Sequence, residues 1–312
     1  MRTAFFQALE DHAQSQTVFI TGDLGFGVIN GFLKKHPEKF VNAGVAEQNM
    51  VGLSAGLALA GKKVFAYSIA NFNTLRCLEQ IRNDVAYHKL NVTIVSVGGG
   101  LAYGSLGISH HATEDLAILR SIPNLTVFAP GDTKEAYELT KRIVYEDLGP
   151  VYLRLGRAGE ATLHTDESIK KIVIGKAFPL IENPVRKLAI LSTGGMLETA
   201  VYVCEQLKQQ NIHSSVFSYH TIKPFDSETT QRIFKQFDFV ISMEEHSMVG
   251  GFSSAILESL VGSKGILLDN YYPFALPAAF TSKVGDQNYL RNLYNISPEK
   301  ILKEILNKLK QS

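Results

Sequence analysis

The segment FVNAGVAEQNMVGLSAGLALAG places Glu47 in the first turn of a helix that then becomes rich in small residues. A carboxylate there complements the helix dipole, worth about 0.3 to 1 kcal/mol. The small side chains that follow would also let another backbone come close, and spacing alone leaves both accounts open. Gly98, Gly99 and Gly100 follow an apolar run, with Gly104 and Gly107 close behind, in the manner of a ligand-cradling loop. A dinucleotide fingerprint starting at Gly98 would need glycine at 103, where Tyr103 stands, and no P-loop lysine follows these glycines. They read as turn or close-approach positions. Glu244, Glu245 and His246 are metal-ligand types, but three consecutive residues of regular structure cannot all face one ion, so a packing role is expected. Cys77 and Cys204, the two cysteines, are too few and too far apart for a disulfide scaffold or a zinc site, which fits a reducing, cytoplasmic compartment.

The elements that must position these groups alternate along the chain. Helical periodicity through FFQALEDHA gives way to the runs TVFI (17–20) and FVNA (40–43). Residues 46–60 read as a helix, KVFAY (63–67) as a strand, 74–88 as a helix and NVTIVSV (91–97) as a strand. A helix over 132–146 is preceded by LTVFAP and followed by PVYLRLG. Strands that stay apolar through their length, separated by helices, indicate a parallel sheet covered on both faces. Residues 161–186 form a charged, irregular stretch with two prolines, read as a linker. A second alternation begins at KLAILST (187–193). It continues through a helix over 196–210, the strand HSSVFSY, the turn KPFD, a helix to about 236 and the strand DFVISM (238–243). A helix after Gly250, the strand GILLDN (265–270) and a closing helix with Ser297 as N-cap complete it. The expected architecture is α/β, with two parallel-sheet domains in series over residues 1–160 and 187–312.

Composition narrows the partners. With 31 Lys and Arg against 30 Asp and Glu in 312 residues, a net charge of +1 provides no field to hold nucleic acid or an anionic membrane. The 45% hydrophobic and 20% charged residues describe a globular chain with room for two domains. No run approaches the roughly 18 apolar residues that span a bilayer, and MRTAFFQALEDHAQ has no apolar signal core, so a soluble protein is expected.

Five segments together resemble the carboxyl-terminal half of transketolase, in order along nearly the whole chain. They are VNAGVAEQNMVGLSAGLALAG, EQIRN (79–83), SHHATEDLAILRSIPNLTVFAPGD (109–132), GPVYLRLGR (149–157) and MEEHSMVGGFSSA (243–255). The 1-deoxyxylulose-5-phosphate synthases and the β subunits of 2-oxo-acid dehydrogenases share that architecture, but AEQNM and LRSIPN are most similar to two-subunit transketolases. The resemblance implies a thiamine-diphosphate pyrimidine-binding domain followed by a transketolase C-terminal-type domain. It matches Glu47 to the glutamate bonded to N1′ of the cofactor's aminopyrimidine. A protonated carboxyl there shifts the ring toward its imino tautomer, whose nitrogen can take the proton of the thiazolium carbon. Phe72, four residues before Arg76, reproduces the family's aromatic slot, with Ile69 where a second aromatic is expected. His110 matches the active-site histidine, and Arg157, with Arg2 more loosely, matches the arginines that bind the sugar phosphate through bidentate hydrogen bonds.

Two departures qualify the match. The family's metal and diphosphate motif begins Gly-Asp-Gly, whereas this chain has Gly22-Asp23-Leu24, in the wrong domain, and no true copy, so no metal ligand is expected here. The resemblance therefore implies a separately encoded partner chain that supplies the diphosphate domain and the Mg²⁺ ligands, around a homodimer of this subunit within a heterotetramer. The loop before His110 reads Gly104-Ser105-Leu106-Gly107-Ile108-Ser109, so Leu106 replaces an aspartate that reads a substrate hydroxyl. Gly98 stands where a phosphate-contacting histidine would be. Those losses permit an unusual sugar or a smaller, less hydroxylated acceptor. The expected activity is transfer of a two-carbon ketol unit from a ketose phosphate to an aldehyde, catalysed only with the partner. Its competitors are a 2-oxo-acid decarboxylase or carboligase subunit and a non-catalytic interaction subunit.

Overall fold

The apolar runs pair into two sheets, each covered by helices. The computed structural model describes residues 1–311 other than Phe26 and Leu267. The first six strands are β1 (Thr17–Thr21), β2 (Phe40–Asn42), β3 (Lys63–Ile69), β4 (Val92–Val97), β5 (Thr126–Phe128) and β6 (Val151–Leu155). They pair in parallel, and β4 is buried at every residue, which is why it is apolar with only small hydroxyls among its side chains. The others are β7 (Phe178–Ile181), β8 (Leu188–Ser192), β9 (Ser214–Ser218), β10 (Thr221–Lys223), β11 (Phe239–Ser247) and β12 (Tyr271–Leu276). The sheet orders are β10-β5-β6-β4-β3-β1-β2 and β12-β11-β8-β9-β7.

Helix Arg2–His12 buries Phe5, Phe6 and Leu9 against Phe19, Phe65 and Tyr67 on one face of the first sheet. Helix Glu47–Leu59 covers the opposite face with Met50, Val51 and Ala55. Asp132 caps helix Thr133–Tyr145 by accepting the Glu135 N–H at 2.8 Å.

Four elements differ from the sequence reading. In place of one helix over 74–88 the chain forms a short turn at Leu78–Gln80 and a wide π-type turn at Ile81–Ala86, preceded by a separate turn at Ala70–Asn73. Buried Asn73 accounts for the break before residue 74. Its amide donates to the carbonyls of Ala66 (3.2 Å) and Val95 (2.9 Å) and accepts from Ser96 Oγ (2.6 Å), tying the chain to β3 and β4. The stretch read as a linker contributes β7, antiparallel to β9 at the edge of the second sheet, where Pro179 is tolerated because it donates no ladder hydrogen bond. β10 crosses from the second half of the chain to pair antiparallel with β5. The described residues of 265–270 form turns, with Leu267 lying outside them, and the strand expected there is β12, displaced to 271–276. Ser297 precedes helix Pro298–Gln311 as expected, but its hydroxyl is buried without a partner and only its carbonyl accepts, from the Ile301 N–H at 3.0 Å.

The domains pack closely. The N–H of Ala129 donates to the carbonyl of His220, and that of Gly194 to Ala129. A Cβ on Gly131 would lie 2.6 Å from Leu197 Cδ2, so this approach requires glycine.

Candidate active site

After β2 the chain turns at Gly44, whose φ is +71°, and enters helix Glu47–Leu59 with Glu47 as its first residue. The Glu47 side chain is only 3% exposed. Gly22, just past β1, leaves room beside it, because a Cβ there would stand 3.2 Å from the Gly44 carbonyl and 3.7 Å from Glu47 Cγ. The Gly22-Asp23-Leu24 segment is thus used structurally. Asp23 accepts from Asn42 Nδ2 at 2.9 Å, while Asn42 Oδ1 accepts the N–H groups of Asp23 and Gly44.

Phe72 lies on the turn Ala70–Asn73, and Arg76 stands against it. Arg76 Nη1 donates to Glu47 Oε2 at 2.6 Å, and its Cζ sits 4.8 Å from the centroid of the Phe72 ring. The Arg76 carbonyl accepts from Gln48 Nε2 at 3.0 Å. Burial first, then the charge of Glu47, pushes the neighbouring Cys77 thiol up to about 12, which makes it an unreactive core group.

His110 completes the cluster. Its ring meets Phe72 edge-on at 5.1 Å between centroids, and Ser109 Oγ lies 2.9 Å from its Nδ1. Asn71 clamps the two segments together by donating to the carbonyls of Ser109 and His111. Burial, and secondarily His111, holds His110 below the ordinary imidazole value, so the ring is neutral near pH ~7.

Arg157 is reached through a residue the sequence reading passed over. Tyr103 lies 6.4 Å from His110 between centroids, and Arg157 Cζ sits 5.4 Å from the Tyr103 ring. A Cβ on Gly98, where φ is +91°, would come within 2.1 Å of Tyr103 Cδ2. Tyr103 therefore occupies the space beside Gly98. The only signal in the sequence was its intrusion among the glycines. Leu106 is exposed. Ile69 ends β3 and packs on the aromatic core, while Arg2, at the start of its helix, lies by the Tyr67 hydroxyl with its Nε buried and unpartnered. Glu47, Phe72, Arg76 and His110 are thus contiguous, Arg157 adjoins them through Tyr103, and Arg2 and Ile69 belong to the core side.

The three consecutive residues Glu244, Glu245 and His246 serve three different partners. Glu244 accepts the N–H groups of Phe252 (2.7 Å) and Ser253 (2.8 Å), capping helix Phe252–Leu260. Burial pushes its carboxyl up to about 7. Glu245 accepts the Leu101 N–H at 2.6 Å and pairs with Gln287 and Arg291. His246 Nε2 accepts the Ala117 N–H at 3.3 Å, so its proton sits on Nδ1, which donates to the Ser247 carbonyl at 2.8 Å. Beside them Arg154 donates to Asp115 at 2.7 Å, fully buried, with the Tyr152 hydroxyl on the same carboxylate. This is packing at the domain boundary. An open cleft of about 590 Å³ between the domains is lined by Arg157, Glu160, Gly194, Glu198 and Arg291, and not by Glu47 or Phe72.

The residues around Glu47 fit an aminopyrimidine. They present a buried carboxyl and, across the Arg76 guanidinium from it, the half-buried aromatic face of Phe72. Among the described residues no group of three or more His, Cys, Asp or Glu side chains could hold a metal ion.

Residues 1–159 match the pyrimidine binding domain of transketolase, and residues 180–301 match the transketolase C-terminal domain. The two matches together span most of the chain, which belongs to the transketolase family, whose members use thiamine diphosphate. A protein of Methanocaldococcus jannaschii named for the C-terminal section of a transketolase is 40% identical over 283 residues, 90% of this chain and 86% of that one. A subunit of the apulose-4-phosphate transketolase of Phocaeicola vulgatus is 37% identical over 245 residues, 78% of this chain and 77% of that one. Among solved structures, a split gene transketolase described as an inactive beta4 tetramer superposes with a TM-score of 0.86 at 30% identity, covering 99% of this chain and 97% of that chain.

Proposed function

We propose that this chain is the pyrimidine-binding subunit of a two-subunit transketolase-type enzyme that moves a two-carbon ketol unit from a ketose phosphate to an aldehyde. One observation carries the reading: a carboxyl that is 3% exposed at a helix start shares Arg76 with the ring of Phe72, which His110 meets edge-on, and neither Glu47 nor Phe72 lines the interdomain cleft. Such a site is suited to completion by a second polypeptide. The similarity to one subunit of an apulose-4-phosphate transketolase and to a split gene transketolase supports a heteromer in which the partner brings the diphosphate half and the Mg²⁺ ligands. The stoichiometry we favour is a heterotetramer around a homodimer of this chain, in the cytoplasm.

When bound, thiamine diphosphate supplies the carbon nucleophile that accepts the ketol unit. Glu47 holds a proton at the pyrimidine nitrogen, Phe72 supports the ring face, and His110 takes and returns a proton at a substrate hydroxyl. Arg157 offers a guanidinium to the substrate phosphate. Tyr103, filling the space beside Gly98, removes room for a phosphate-contacting side chain there, which favours a less hydroxylated or differently charged substrate. The same feature keeps a second reading in play, in which a 2-oxo acid such as pyruvate is the donor.

Feeding the reconstituted complex a ketose phosphate against pyruvate and following donor consumption separates the two readings. Consumption of ketose phosphate without release of CO₂ is expected; pyruvate consumption alone would establish the second reading instead.

A further inference from the structure

We infer that Arg76 is a placeholder for the cofactor's aminopyrimidine, occupying the slot in the free chain and swinging out when the ring arrives. This rests on the proposed reading of Glu47 and Phe72. The guanidinium is a flat cation with N–H donors along its edge. It uses both surfaces that an aminopyrimidine would need, donating to Glu47 Oε2 at 2.6 Å while lying 4.8 Å over the Phe72 ring. One planar group that donates to a buried carboxylate and covers an aromatic face mimics the expected ligand in both respects.

The local structure lets the side chain move without the backbone. Gln48 Nε2 pins the Arg76 carbonyl at 3.0 Å, and the next residue, Cys77, is fully buried. The Arg76 side chain is 48% exposed, whereas that of Glu47 is 3% exposed. Departure therefore needs only rotation of a long side chain toward water. It would bare the carboxyl and the ring. Leaving the slot empty instead would strand a buried carboxylate without its counter-ion, so a resident that can be displaced keeps the free subunit intact. Arg76 is on this account a positioning residue that acts through Glu47 and Phe72.

The test uses the full chain alone and 4-amino-5-hydroxymethyl-2-methylpyrimidine, the pyrimidine half of the cofactor, with affinity read by ligand-observed NMR. Arg76→Gln should bind the probe at least tenfold more tightly than the unmodified chain. Arg76→Lys, which keeps the charge but not the planar guanidinium, should fall between them. A gain in affinity is something that mere structural damage would not produce, and unchanged circular dichroism confirms that the variants fold. Equal or weaker binding by Arg76→Gln, or no binding by either protein, would overturn the placeholder. The underlying assignment of Glu47 is judged separately, by turnover of its own variant in the reconstituted complex.

Discussion

The ring of Tyr103 lies against Gly98 so closely that a Cβ at residue 98 would sit 2.1 Å from its Cδ2. The two residues form one feature, a side chain at 103 filling what a side chain at 98 would otherwise fill. It also carries Arg157, whose Cζ lies 5.4 Å from the same ring, toward His110.

A double-mutant cycle reads this coupling. Gly98→Ala must meet both the positive φ of +91° and the ring. It should cost about 1 to 2 kcal/mol for the backbone and a further ~1 to 3 kcal/mol for the overlap. In a Tyr103→Ala background only the backbone part should remain. Urea unfolding of the four proteins checks this, and a Gly98→Ala cost that is the same in both backgrounds would mean the ring does not enforce glycine.

Acid stability should depend on Asp132. Burial alone would raise its carboxyl, but hydrogen bonds from the His164 ring and from the Glu135 and His164 backbone N–H groups outweigh it and hold the group at about 2. A carboxyl lowered on folding stabilises above its ordinary value of 3.8 and loses that contribution as pH falls toward 2. The contribution is on the order of 2 kcal/mol. Asp132→Asn should therefore be less stable at neutral pH and show a shallower loss between pH ~4 and ~2 in unfolding experiments. Parallel pH profiles for the two proteins would remove Asp132 from this role.

The buried Arg154–Asp115 pair at the domain boundary gives a third expectation. Arg154 also donates to the carbonyls of Ala112 and Glu245, so it bridges the domains. Asp115→Ala leaves that guanidinium uncompensated and should cost about 3 to 5 kcal/mol. The midpoint of chemical denaturation measures it; a loss under ~1 kcal/mol would mean that water or rearrangement supplies the missing partner.

The strands that escaped the sequence reading share a physical cause. β1, β3, β4 and β8 are apolar runs because both faces are covered, and such runs are visible locally. β7 and β12 are edge strands containing Pro179 and Pro273, and the three-residue β10 owes its strand character to β5 in the other domain. None of those pairings is a property of the segment itself. The site divides in the same way. Glu47, Phe72 and Arg76 sit in one recognisable spacing, and the structure brings them into contact. Tyr103 matters only through contacts with Gly98, His110 and Arg157, which become apparent once the chain is folded.

Dependence on a partner makes a fourth prediction. Calorimetry of the purified chain with thiamine diphosphate and Mg²⁺ should show no saturable binding, because the diphosphate contacts are expected elsewhere. Tight, Mg²⁺-dependent binding by this chain alone would contradict the two-subunit account.

The most direct measurement is turnover of Glu47→Ala in the complex reconstituted with its partner. Glu47 is buried beside Phe72 and Arg76, and the account gives it the proton held at the pyrimidine nitrogen. General acid–base catalysis of this kind typically contributes about 10² to 10⁴ in rate. The variant should assemble normally by size-exclusion chromatography and lose at least ~100-fold in kcat. Assembly with near-normal kcat would contradict the assignment.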